Sequence, residues 1–359
     1  MTMGRCAILT QAHGGRPACG YCGVCERGCT TFSYFNSVHV TLPAAAATGK
    51  LTLRPYSVVE SVVYDPRTGR ASGVNVIDAQ SMETMLFEAR VIFLCASTLE
   101  STRILLNSTS TRWPDGLANS SGVLGHYLMD HWMGGGAVGT VPGVEDRIAV
   151  GDRPTGAYLA RFRNLGRDDD APFLRGYAYQ TKSWRDNWSI GLPRPGFGAT
   201  YKQQLSEPGP WKFRLKGFGE CLPNEANAVS IDPQVKDRWG VPALRIDCRW
   251  GENERAGLKD AAQQAGEMLS AAGLRDVQPF TDDNAPGLTI HEMGTARMGR
   301  DPKTSVLNGW NQSWDVPNLF ITDGSCMTSS ACQNPAITYM ALTARAVDYA
   351  VGLMNRGEL

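Results

Sequence analysis

His291 sits in a glycine-punctuated run, His291-Glu292-Met293-Gly294-Thr295-Ala296-Arg297-Met298-Gly299. An apolar strand pattern, Leu319-Phe320-Ile321, then ends in Thr322-Asp323-Gly324, and Gln333-Asn334-Pro335 opens a long helical pattern. A neutral imidazole accepts protons near pH 7, and a carboxamide holds a hydroxyl without competing for its proton. This order of residues predicts that His291, Asp323-Gly324 and Asn334 converge on one bound ligand. Asn334-Pro335 also reads as a helix cap followed by proline at the first helical position, which would aim the positive end of the helix at that ligand.

A second group lies near the N-terminus. Cys19, Cys22, Cys25 and Cys29 follow the spacing C-x2-C-x2-C-x3-C, the run of bacterial-type iron–sulfur proteins. Thr30 stands where that run has proline, and no second cysteine set accompanies it. The competing reading is a glycine-rich loop with free or paired thiols.

Bulk properties narrow the class. With 359 residues the chain has room for two domains, and 42% hydrophobic against 19% charged residues is a globular composition. Lys+Arg and Asp+Glu balance at 35 each, with no basic stripe of the kind nucleic acid requires. No apolar run approaches the roughly 18 residues of a membrane span. Met1–Leu9 carries no convincing signal peptide, and the compartment stays open.

The elements that must position these residues follow from pattern. Leu51–Leu53 and Val58–Tyr64 read as strands, Asp65-Pro66-Arg67-Thr68-Gly69 as a turn, and Gly73–Asp78 and Met85–Phe87 as a meander. The apolar strand Val91–Cys95 precedes a capping-box pattern, Ser97 with Glu100, opening a helix over Thr98–Asn107. Gly134-Gly135-Gly136-Ala137-Val138-Gly139 fits G-x-G-x-x-G, but Val141-Pro142-Gly143 follows where a helix should start. It reads as a strand. Between Trp132 and Asp283 aromatic residues such as Tyr158, Phe162, Tyr177 and Tyr179 alternate as in a sheet, mostly as core. Asn253–Ala272 reads as an amphipathic helix stopped by Gly273. His131 reads as a hydrogen-bonded structural histidine.

These segments, taken in order through Cys19–Ser108, Gly116–His131, Glu220–Pro242 and Gly287–Val351, resemble the glucose-methanol-choline (GMC) flavoprotein oxidoreductases. The likeness is to their sugar dehydrogenase and pyranose oxidase branch. The resemblance implies an α/β fold with an α+β second domain. An incomplete FAD-binding Rossmann-type domain (1–131 and 285–359) would join a mixed-sheet substrate-binding domain (132–284). It implies FAD as cofactor; the iron–sulfur cluster at the four cysteines is an expectation of their spacing alone, since this branch's corresponding loop need not hold metal. A sugar or other alcohol would be the substrate, with an external electron acceptor. Carried over position by position, His291 matches the catalytic base and Asn334 its partner. Val59, Ala96-Ser97, Asp323-Gly324 and Asn334-Pro335 match cofactor contacts, Val59 by its backbone. The family's N-terminal glycine fingerprint has no match here. The expectation is a truncated fragment, or a chain whose FAD-binding half comes from another chain.

Overall fold

The computed structural model describes residues 1–148, 156–166, 171–185, 196–282 and 284–359. After β1 (Thr2–Met3), the short helix α1 (Thr41–Ala46) leads to the meander β2 (Ser57–Asp65), β3 (Arg70–Asp78) and β4 (Thr84–Glu88). β2 and β3 pair antiparallel around the Asp65–Arg70 turn, where Gly69 takes the left-handed φ of +70° that a side chain resists. The strand expected at Leu51–Leu53 is irregular. Arg54-Pro55 follows it, and proline both lacks a ladder donor and restricts the residue before it.

β5 (Ile92–Leu94) runs into helix α2 (Thr98–Asn107). Further on, β6 (His131–Trp132), β7 (Gly135–Thr140), β8 (Ala157–Leu159), β9 (Tyr177–Arg185) and β10 (Trp211–Glu220) build a large antiparallel sheet, with α3 (Gly198–Ser206) between the last two. β11 (Ala228–Lys236) and β12 (Pro242–Asp247) form a separate hairpin, and α4 (Glu252–Ala271) leads to β13 (Arg275–Thr281). The large sheet has seven strands, in the order β1-β8-β9-β10-β7-β13, with β6 also paired to β10. β1 therefore belongs to this sheet, and Gly4 N donates to Gly156 O at 2.7 Å, although the sequence reading assigned the N-terminus to the cofactor-binding part.

The run Gly134–Gly139 is strand, as expected, flanked by β10 and β13. Its glycines have a packing role. A Cβ at Gly135 would collide with the Leu258 carbonyl of α4, and one at Gly217 would meet Ala261 at 3.1 Å. The missing side chains let α4 lie close on the sheet. Its face of Leu258, Ala261, Ala265 and Leu269 buries against Trp132, Tyr177 and Tyr179. At its start Glu254 accepts from Gly251 N (2.8 Å) and Leu222 N (2.9 Å), and at its end Gly273 adopts φ +82°. Tyr177 and Arg163 both bind the Asp260 carboxylate, and Tyr179 donates to Ala261 O at 2.6 Å. These aromatic residues are sheet core.

The remaining layer is a parallel pair. β14 (Leu319–Ile321) pairs with β5, matching Leu319 to Ile92 and Ile321 to Leu94. Both strands are short and buried on two faces, which explains why they read as continuous apolar runs. One face joins the cluster of Val62, Ile104, Leu105 and Leu307 under the meander. The other stacks Phe93 on Phe320 (4.8 Å between centroids) beneath α5 (Ala336–Asn355), which contributes Ala346, Ala350 and Leu353. The far edge of β14 is occupied by the 311–313 segment through Ile321 N to Asn311 O (3.0 Å). Among the described residues no strand pairs with the outer edge of β5.

Candidate active site

Parallel strands deliver both their C-terminal ends to one edge, where open α/β sheets bind ligands. Here that edge carries Ala96-Ser97 after β5 and Asp323-Gly324 after β14. Three further segments are fastened to it. Thr98 donates to the Glu292 carbonyl, Gly294 N donates to Gly324 O (3.1 Å), and Thr102 and Thr295 share a hydroxyl bond of 2.7 Å. The His291 turn is thereby held between α2 and the 323–326 turn.

His291 Nε2 lies 3.4 Å from Asn334 Nδ2. The Asn334 oxygen accepts from Gln180 Nε2 at 3.1 Å, which turns the amino group toward the imidazole. Gln180 is a site residue that no sequence motif marks; it comes from β9 of the large sheet, so only the assembled fold brings it here. Asp130, inside the matched segment Gly116–His131, is a second site residue, whose role the sequence left unread. Its carboxylate accepts from His131 N (2.8 Å), Gly287 N (2.9 Å), Thr289 N (3.2 Å) and the Thr289 hydroxyl, and so staples the turn entering His291. Burial pushes the His291 imidazole below its ordinary range, against the opposing pull of Asp130. The ring is neutral at pH 7 and able to accept a proton.

Several expected features differ. Ser97 precedes α2 but makes no side-chain cap, because its φ of +73° turns the hydroxyl away from the helix amides. Asn334 does not cap α5 either; Pro335 occupies that position and the carboxamide is committed to Gln180 and His291. The Ala96 amide is taken by Ser101 Oγ (3.1 Å), so it is not an open donor. Asp323 is also engaged, accepting from Ser325 N (3.0 Å) and the Ser101 and Ser325 hydroxyls. Val59 pairs with Val76 in the meander, beside an irregularity in the ladder at Val59/Ser61.

The iron–sulfur expectation at the four N-terminal thiols draws no support from the structure, though the thiols lie near one another: burial, then Cys19, Cys22 and Cys29, push the Cys25 thiol up. Cys19, Cys22, Cys25 and Cys29 are free, and among the described residues no three His, Cys, Asp or Glu side chains are arranged to take a metal ion. Three of the sulfurs meet groups of the loop. Cys19 accepts from Tyr21 N (3.4 Å), Cys22 meets Thr30 Oγ1 (3.8 Å), and Cys29 meets Thr31 and Ser33 hydroxyls at 3.5 and 3.4 Å. Those hydroxyls hold the Cys29 thiol down at about 6.

Residues 7–133 and 223–343 match the N-terminal and C-terminal family models of the GMC oxidoreductases. The chain belongs to the GMC oxidoreductase family. Among its relatives is 2-methyl-1,2-propanediol dehydrogenase of Mycolicibacterium austroafricanum, 33% identical over 96% of this chain and 62% of that protein. A C-glycoside 3-oxidase of Arthrobacter globiformis is 37% identical over 77% of this chain and 49% of its own length. Among solved structures, formate oxidase of Aspergillus oryzae RIB40 superposes with TM-score 0.56 at 13% identity, covering 83% of this chain and 60% of that one. The first of these relatives extends well beyond the match: the chain spans 62% of its length.

GMC oxidoreductases bind FAD, and part of a fit is visible here. Gly324 is buried and its missing Cβ leaves the 292–294 turn in contact with the strand end, while the Tyr339 hydroxyl beside it is buried without a partner. With His291 and Asn334 these residues line one edge of the parallel strands. The described residues contain no strand–glycine turn–helix unit for the pyrophosphate, since Gly134–Gly139 is committed to the antiparallel sheet.

Proposed function

We propose that this chain carries the alcohol-oxidising site of an FAD-dependent dehydrogenase or oxidase acting on a sugar, glycoside or small polyol. The observation that carries the reading is the approach of His291 Nε2 to Asn334 at the ligand-binding edge of the parallel strands. FAD, when bound, supplies the hydride acceptor through its N5. His291 takes the hydroxyl proton of the substrate at Nε2, for which burial has kept the ring neutral. Asn334 donates to the substrate oxygen from its Nδ2, and Gln180 fixes which end of the carboxamide faces inward. Asp130 holds the 287–289 backbone so that the imidazole does not drift. Electrons leave to an external acceptor, a dye or quinone in the assay, with oxygen tested in parallel.

The test is dye-linked oxidation by flavin-loaded protein across a panel of sugars and vicinal diols, with His291→Gln as comparison. His291→Gln is expected to lower turnover by about 10²–10⁴-fold with flavin content unchanged. Turnover within a factor of a few of the parent removes His291 from this role.

A specific observation favours a companion reading, that FAD binding needs a βα unit supplied by a second polypeptide. Among the described residues no strand pairs with the outer edge of β5, and α5 exposes an apolar stripe: Ile337 is 78% exposed and Val351 48%, with Met340 and Val347 between. Such a stripe on a 20-residue helix matches a surface made to be covered. The visible spectrum separates the readings. Protein that takes up flavin alone contradicts the companion reading, and protein that does so only with an added partner supports it.

A further inference from the structure

His131 stands behind His291, and the two rings meet edge to face with centroids 5.0 Å apart. His131 is 1% exposed. Neither of its ring nitrogens has a hydrogen-bond partner, and neither does the buried Nδ1 of His291. An unpaired buried polar group is costly, so three in one ring pair need an account.

The neighbouring groups restrict the answer. A neutral imidazole has one donor and one acceptor nitrogen. The Asn334 amino group faces His291 Nε2, which makes Nε2 the acceptor and puts the proton on Nδ1. That N–H needs an acceptor, and the nearest carboxylate, Asp130, already accepts from four donors. His131 offers one acceptor nitrogen, while its own N–H can reach the carbonyls of Ala331 or Gly219, which lie alongside its ring. None of the three nitrogens is bonded in this structure; closing the ring pair would join them in one chain, Asn334 to His291 Nε2, His291 Nδ1 to His131, and His131 to a backbone carbonyl.

Resting on the reading of His291 as base, we infer that His131 is its positioning residue, accepting the Nδ1 proton and thereby keeping Nε2 the basic nitrogen that faces the substrate. The arrangement parallels the third group that orients a catalytic histidine in hydrolytic triads, with an imidazole in place of a carboxylate. Using a neutral acceptor leaves His291 less basic than a carboxylate would. Burial and the nearness of His291 push His131 down to about 4, so His131 stays neutral while His291 titrates. Asp130 is the charged group that both rings feel.

The experiment is nitrogen-15 imidazole NMR on the full chain, whose five histidines can be assigned by substitution. At pH 7.5 His291 is expected as the Nδ1–H tautomer, with coupling across an N–H···N bond to a ring nitrogen of His131. His131→Phe keeps the ring packing and removes the acceptor; it is expected to move His291 toward the Nε2–H tautomer. An Nε2–H tautomer in the parent protein, or no coupling to His131, overturns the inference even if the variant fails to fold. Unchanged tautomer populations in folded His131→Phe overturn it as well. The measurement uses neither flavin nor substrate, so it is separable from the base assignment. Normal turnover in His291→Gln with the coupling present defeats the base reading alone, and a missing coupling with inactive His291→Gln defeats only this inference.

Discussion

Gly324→Ala is the perturbation that most directly tests how the site is assembled. The added methyl would press into the Glu292 carbonyl and the Thr98 hydroxyl, and would lie 3.1 Å from the Tyr339 hydroxyl. Neither main obstacle can give way cheaply. The carbonyl belongs to backbone fixed by Gly294 N to Gly324 O, and Thr98 already donates to that carbonyl. Overpacking of this kind costs about 1–3 kcal/mol, and displacing the Thr98 bond adds about 1 kcal/mol. A loss of about 3 kcal/mol corresponds to a fall of roughly 1 M in the urea midpoint. Gly309→Ala is the control, because no atom lies within 4 Å of its added Cβ. It is expected to stay within about 0.5 kcal/mol of the parent. The assay is paired urea unfolding followed by tryptophan fluorescence. Equal midpoints for the two variants would refute the packing of the His291 turn against the end of β14.

Asp130→Asn presents an amide to donors that now face a carboxylate, and is expected to cost about 3 kcal/mol; faster hydrogen exchange at the Gly287 and Thr289 amides is the check, and unchanged protection would show that the staple is dispensable. Gln180→Leu removes one neutral hydrogen bond of about 1 kcal/mol, so turnover of flavin-loaded protein should drop roughly fivefold with flavin content intact. An unaltered rate would mean Asn334 needs no help in facing inward. Acid stability carries a definite sign. The folded-state value of His131 is lowered to about 4 from the ordinary 6.5, so the unfolded chain binds the extra proton. Stability is therefore fully present above pH 6.5 and lost as the pH falls toward 4, by on the order of 3 kcal/mol. His131→Phe should flatten the dependence of melting temperature on pH over that window, and an identical slope would contradict it.

Local pattern proved sufficient where local forces decide structure. The meander, the β5–α2 unit and α4 follow from alternation, a turn with Gly69, and a 3.6-residue apolar period, each sensed within a few residues. The Gly134–Gly139 run was recognisable as strand because nothing after it can start a helix. Capping failed twice for one reason. Ser97 and Asn334 have ideal cap chemistry, but each is claimed by geometry set elsewhere, a left-handed φ in one case and two distant partners in the other. Gln180 and the role of Asp130 were invisible because their importance lies in contacts with residues remote in sequence, Asn334 and the 287–289 backbone. Cysteine spacing alone does not say which groups meet the sulfurs in the folded loop. Here small hydroxyl groups compete for the sulfurs.

Helix α5 begins one residue after Pro335, beside the carboxamide that faces His291, and its outer flank is bare along much of its length. A rod seated on one side takes its final axis from whatever settles on the other. Asn334 rides on the end of that rod, so a shift of its axis would be felt at the imidazole. Were a second polypeptide to cover that flank, as the companion reading proposes, its seating would reach the spacing of Asn334 and His291.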